Sequence, residues 1–256
     1  MQLSKRFAAF ALMSAVAIFT SGGAFAYVVV WDGETSQDMS TGTNWAGDAT
    51  PAAADQAVLD DGTLSLMPRL DSNNALTFSG TSISAGTMTI DGDLTSSTVS
   101  ITGPGSMVVS LGGSLAGDVT NSGTFTLGGT LIGSLSTSGR LSVPVDATGM
   151  PLFVLQANAL NLGGVLALNL LGLGYDSDSI SIDLFQAQTI NGDFASLDLV
   201  GLNAAYGFST SIIDGAGSND DVFRLVLTRA GTVPVPGTGL LVGIALAALL
   251  ASRRRA

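Results

Sequence analysis

The chain has 256 residues, 46% hydrophobic and only 11% charged, with 20 acidic against nine basic side chains and a formal net charge of −11. It contains neither Cys nor His, which removes disulfides, thiolate and imidazole metal ligands, and every Ser-His-Asp or Cys-His catalytic arrangement. Carboxylates, Tyr and Arg are what remains for chemistry.

Residues 1–26 read as a secretory signal peptide. Lys5 and Arg6 precede a 13-residue apolar run from Phe7 to Phe19, and Ala24 and Ala26 place small side chains at −3 and −1 of a cut before Tyr27. The run falls short of the ~20 apolar residues that a membrane span needs. Signal peptidase is thus the first expected partner, and the mature chain is expected to begin at Tyr27, outside the cytoplasm.

Residues 27–232 form the body, long enough for one domain with a sizeable core. All 20 acidic residues lie there, against Arg69, Arg140, Arg224 and Arg229 and no Lys, a formal charge of −16. Nucleic-acid binding is disfavoured, because phosphate recognition relies on clustered Lys and Arg. With 28 Gly in 206 residues, about twice the usual ~7%, continuous helices are not expected either.

The body opens VVVWDGETSQDMSTGTNWAGDATPAAADQAVLDDG. Trp31, Gly33, Asn44, Trp45, Pro51 and Asp55 stand where many autotransporter-like β-helical proteins carry a Trp-x-Gly, an Asn-Trp, a Pro and an Asp before a short strand, and the segment resembles their start. Trp31 and Trp45 are expected to cover the first turn of the fold; they are also the candidate carbohydrate contacts.

A repeat follows. MTIDGDL (88–94), VSLGGSL (109–115), FTLGGTL (125–131) and LNLGGVL (160–166) share alternating apolar and small polar residues around a Gly, and Leu141-Ser142-Val143 resembles a fifth start that Pro144 interrupts. Ile90, Leu111, Leu127, Val143 and Leu162 mark the copies, at steps of 21, 16, 16 and 19 residues. Alternation of period two with Gly-rich punctuation predicts short half-buried strands. The step matches one coil of a β-solenoid and is too short for a propeller blade. The predicted fold is therefore all-β, a right-handed β-solenoid with short Gly-rich turns, its five markers forming an inward ladder. Repeats are expected over about 76–170, with capping segments on either side and a helix at each chain end; an antiparallel sandwich is the alternative.

Toward the end of the body, SISIDLFQAQTINGDFASLDLVG resembles the closing segment of the same β-helical proteins, through Ile190, Gly192 and Phe194. Asn191-Gly192 predicts a tight turn. DVFRLVLTR, 221–229, predicts a closing strand with Phe223, Leu225 and Leu227 on one face.

Acidic clusters at 175–179, 217–221 and 91–93 lack both the EF-hand pattern and the Gly-Gly-x-Gly-x-Asp repeat. They read as solvated turns, so no metal or cofactor is expected. A polysaccharide lyase or hydrolase would need paired carboxylates, whereas Asp91, Asp93, Asp118 and Asp146 fall at unlike positions of their repeats.

The chain ends VPVPGTGLLVGIALAALLASRRRA. Leu240 to Ala251 gives 12 apolar residues, a marginal span, and Arg253, Arg254 and Arg255 orient it with its end in the cytoplasm. Val233-Pro234-Val235-Pro236, the hydrophobic run and the Arg cluster together resemble the PEP-CTERM sorting signal, with Val235 where that family usually has Glu. The resemblance implies transient inner-membrane anchoring, processing by an exosortase-like membrane protease, and release to the cell surface or extracellular matrix, in biofilm or exopolysaccharide-associated layers. The function expected is non-enzymatic. A polysaccharide-binding or adhesive module is the alternative, and a lyase or hydrolase is further off.

Overall fold

The computed structural model describes residues 26–215 and 220–230. Among these residues nineteen strands follow one another. They are β1 (Val28–Val30), β2 (Gln56–Leu59), β3 (Arg69–Leu70), β4 (Ala75–Phe78), β5 (Gly80–Ile83), β6 (Thr87–Ile90), β7 (Asp93–Ile101), β8 (Ser106–Val109), β9 (Ser114–Asn121) and β10 (Thr124–Leu127). Then come β11 (Thr130–Ile132), β12 (Leu135–Thr137), β13 (Arg140–Pro144), β14 (Val154–Leu162), β15 (Val165–Asn169), β16 (Ser179–Gly192), β17 (Ser196–Val200), β18 (Tyr206–Ile213) and β19 (Asp221–Arg229). One 3-10 turn, Gly42–Asn44, is the only helical element among the described residues.

The protein is all-β, and its strands form two sheets. A seven-stranded sheet runs β3-β6-β8-β10-β13-β15-β17, parallel throughout. A twelve-stranded sheet runs β1-β2-β5-β7-β9-β11-β14-β16 in parallel and ends in β19 and β18, which pair antiparallel; β4 and β12 lie alongside β7 and β9. From β6 to β17 the chain crosses from one sheet to the other and back, so successive passages pair with each other. Parallel pairing extends from Val28 to Val200, well beyond the 76–170 region expected to repeat.

Period-two burial follows from this arrangement. In the smaller sheet Met88, Met107, Phe125, Leu141, Leu166 and Leu197 stand in register, as do Ile90, Val109, Leu127, Val143, Leu168 and Leu199. Facing rows in the larger sheet are Leu94, Leu115, Leu131 and Leu155, and Val99, Val119, Leu135, Leu160 and Ile190. These rows run through the middle of one continuous core.

Two of the five expected ladder positions are wrong. Leu111 is 78% exposed. Ile90 and Leu94 are four positions apart, as are Leu127 and Leu131, but Val109 and Leu115 are six apart, so Ser110-Leu111 are two extra turn residues and Val109 holds the inward place. Leu162 ends β14 in the other sheet, where it stands beside Gly192; Leu168 takes the place assigned to it. Pro144 interrupts nothing, because it is the last residue of β13.

The turns between sheets are tight enough to require glycine. A Cβ at Gly129 would lie 2.2 Å from the Gly113 carbonyl oxygen, and one at Gly139 would lie 2.2 Å from that of Gly123. Turns of successive passages therefore stack on each other at backbone distance.

The segment 221–229 forms the strand expected, with Phe223, Leu225 and Leu227 buried. It is not outermost, however. β18 pairs on its far side and is the edge of the sheet among the described residues.

Candidate functional site

Trp31 and Trp45 meet edge-on, with ring centroids 5.1 Å apart and planes at 90°, and Phe78 packs against Trp45 at 6.0 Å. Each indole N–H is satisfied internally: Trp31 Nε1 donates to the Leu66 carbonyl and Trp45 Nε1 to that of Met39, both at 2.8 Å. Asn44 holds the loop around them, its Oδ1 accepting the backbone N–H groups of Thr35 and Ser36 while its Nδ2 donates to Ser36 Oγ and the Asp38 carbonyl. With relative exposures of 1% and 0%, neither ring offers a face to a sugar. The stacking contact expected of these two residues is thereby corrected: aromatic capture of a glycan needs an open ring face, and here both are core.

Of the expected processing sites, Ala26 and Tyr27 are described, and the Tyr27 side chain is exposed. Ala24, the Val233 to Pro236 motif, the hydrophobic run and Arg253 to Arg255 lie outside the described residues, as do both terminal helices expected. Among the described residues no helix is long and apolar enough to cross a membrane.

All four arginines of the body are ion-paired with Asp. Arg69 contacts Asp91 and Asp71, Arg140 contacts Asp198, Arg224 contacts Asp183 and Arg229 contacts Asp178. The Arg224 guanidinium hydrogen-bonds Asp183 and holds its carboxyl below the usual range. Asp146 and Asp61 close their own turns and are likewise lowered, chiefly by the hydroxyls of Thr148 and Thr63. Asp32 goes the other way, because burial disfavours its charge.

The four carboxylates weighed for sugar chemistry are scattered. Asp93 stands opposite Ser114 and Asp118 opposite Thr98, so the two occupy different rows. Asp118 accepts the Ser134 N–H. Among the described residues no three acidic side chains converge as a metal site would require.

The structure also brings together residues that sequence reasoning passed over. Gln156 and Asn158 of β14 and Gln186 and Gln188 of β16 are all exposed, and the pairing of Ala157 with Ala187 sets them side by side. They line a cleft of about 550 Å³ walled by Ile132, Leu155 and Asp220. Gln186 Nε2 donates to Asp220 Oδ2 at 3.0 Å. A second cleft of about 250 Å³, bounded by Met150, Pro151 and Phe153, shares Leu155 and Gln186 with the first. The sequence signal was present: LQANALN at 155–161 aligns without a gap on FQAQTIN at 185–191, a step of 30 outside the period followed in the Gly-rich repeat. Primary amides donate and accept at once, so the cleft presents four hydrogen-bonding side chains beside the single carboxylate of Asp220.

Comparisons with protein-family models, with curated proteins and with solved structures return no match for this chain.

Proposed function

We propose that the protein is a non-enzymatic, exported structural component whose parallel strands, from β1 to β17, wind as a right-handed β-solenoid. In this reading signal peptidase cuts before Tyr27, an exosortase-like protease of the inner membrane processes the Val233 to Pro236 motif, and the body is delivered to the cell surface or extracellular matrix among exopolysaccharide. The observation that supports the structural half is the close approach of Gly113 to Gly129 and of Gly123 to Gly139, and in this reading successive passages form a rigid stack. Such a stack needs no disulfide, because every interior strand is paired on both edges. Its outer faces carry Ser, Thr, Asn and Asp, a soluble acidic surface.

Intact mass of the protein from cells and from medium of its native host tests the processing half. A species from Tyr27 to a point between Val233 and Gly239 is the expected result. A membrane-bound species retaining Arg253 to Arg255 would replace sorting with simple anchoring.

The cleft lined by Gln156, Asn158, Gln186 and Gln188 favours a second reading, in which the stack binds neutral polysaccharide along that face. Affinity for glycans from the host matrix, lost on joint Gln156→Ala and Gln186→Ala replacement with an unchanged unfolding midpoint, is its expected signature.

A further inference from the structure

Among the described residues the twelve-stranded sheet is finished on one side only. At its start, β1 is three residues long, and its Val30 carbonyl accepts the N–H of Ala46, from the loop that carries Trp45. At its end, β18 is eight residues long and pairs with β19 alone among the described residues. An edge of that length presents a row of unpaired backbone donors and acceptors, the usual template for another strand. Two of the devices that normally blunt such an edge, charge and proline, are absent from 199–213.

The side chains of β18 point to the same conclusion. Phe208 stands opposite Leu227 and Ile212 opposite Phe223, so both continue the core-facing row of β19. Leu227 and Phe223 are buried, yet Phe208 is 51% exposed and Ile212 40%. Tyr206, at the start of the same row, is buried, so the core ends partway along β18 and leaves the apolar row beyond it half uncovered.

We infer that the β18 edge is a self-association surface whose partner is a second copy of this chain, related by a two-fold axis through Thr210. In an antiparallel pair, residues directly opposite share a face. Centring the pair on Thr210 sets Phe208 of each copy beside Ile212 of the other and Ser209 beside Ser211, so the uncovered rows complete each other. A pairing displaced by one residue would set Phe208 against Ser211 in one direction and against Ile213 in the other, and in both it would put the core-facing rows of the two copies on opposite faces, where they could not complete each other. Charge selects the same place: two bodies of formal charge −16 repel each other, and 199–213 is an uncharged stretch through which they can meet. The contact is isologous and closes as a dimer.

The absence of Cys permits a direct test in the full-length chain. Opposed residues in an antiparallel pair have Cα atoms about 4.5–5.5 Å apart, within the roughly 4.4–6.8 Å that a disulfide spans. Oxidised Thr210→Cys is expected to run at twice the monomer mass without reductant. Gly207→Cys, which would face Ile213 of the other copy, is expected to stay single. Thr210→Lys is expected to abolish the dimer seen for the wild-type chain in sedimentation, with the unfolding midpoint unchanged. The inference is overturned if wild-type protein sediments as a monomer at its highest soluble concentration, as it would were the edge covered by the chain's own tail or by another partner. It is equally overturned if Thr210→Cys with a wild-type circular dichroism spectrum stays single, or if Gly207→Cys links as readily.

Discussion

Tyr27 and Asp55 are joined through backbone and side chain: the Tyr27 N–H donates to Asp55 Oδ1 at 2.9 Å, while Ala52 N–H donates to Oδ2 at 2.8 Å. Asp55 is buried, so it ties the entrance of β1 to the loop before β2. Its loss strands two donors, and Asp55→Ala is expected to cost about 1–3 kcal/mol in urea unfolding. If export frees Tyr27 as proposed, its amide becomes an α-ammonium facing a carboxylate, a stronger charge-assisted contact. Acetylating that amine is then expected to lower the midpoint of the processed wild type and to leave Asp55→Asn unaffected. Equal losses in both would remove the ion pair from the account.

Gly129 and Gly139 give the stacking its clearest stability test. Replacing either with Ala puts a methyl group 2.2 Å from a carbonyl oxygen of the passage beneath, and backbone there has no room to yield. The cost expected is about 2–4 kcal/mol, in the range of overpacking and local strain. Gly172 is the control: its added Cβ would meet only the Ala147 Cα, at 4.0 Å, and Gly172→Ala is expected to lie within about 0.5 kcal/mol of wild type.

Much of the strand pattern was legible in the sequence, because half-buried strands must alternate and stacked turns must be small. The segment 221–229 came out with its bounds and buried face intact, and Ile90, Leu127 and Val143 share one row. What failed was register. A Gly-Gly motif aligns by its glycines, but a turn can absorb two residues without disturbing the strands it joins, so Leu111 was assigned the inward place that Val109 holds. Leu162 was misplaced because Leu-Asn-Leu-Gly-Gly resembles the other copies while belonging to the opposite sheet; only chain crossing decides that. Tryptophan burial could not be read from spacing, since a core indole and a glycan-stacking one have the same residue type. The register correction has its own consequence. Val109→Ala is expected to destabilise by about 1–3 kcal/mol through lost burial and an unfilled cavity, whereas Leu111→Ala, at 78% exposure, is expected to change the urea midpoint negligibly. The reverse ranking would restore the ladder expected from the glycine alignment.

The Asp183 and Arg224 pair predicts a specific response to acid. The two residues are directly opposed across β16 and β19, and Arg224 Nη2 donates to Asp183 Oδ2 at 2.9 Å. Hydrogen bonding by Arg224 depresses the Asp183 carboxyl in the folded state. A depressed carboxyl contributes stability that is fully present above its unfolded value, about 3.9, and is lost as pH falls through the lower folded one. Asp183→Asn is therefore expected to be less stable than wild type near neutrality and to converge on it below about pH 4. The side chains are 52% and 35% exposed, so solvent screens the pair and the difference should stay under about 1 kcal/mol, shrinking further in ~1 M salt, where charges separated by more than about 3 Å are screened. Urea titrations of both proteins across this pH range measure it directly. A gap that widened on acidification would carry the wrong sign for this pair and would assign the stability of the β16–β19 junction to packing of Phe185 and Phe223, whose rings lie 5.9 Å apart between the same two strands.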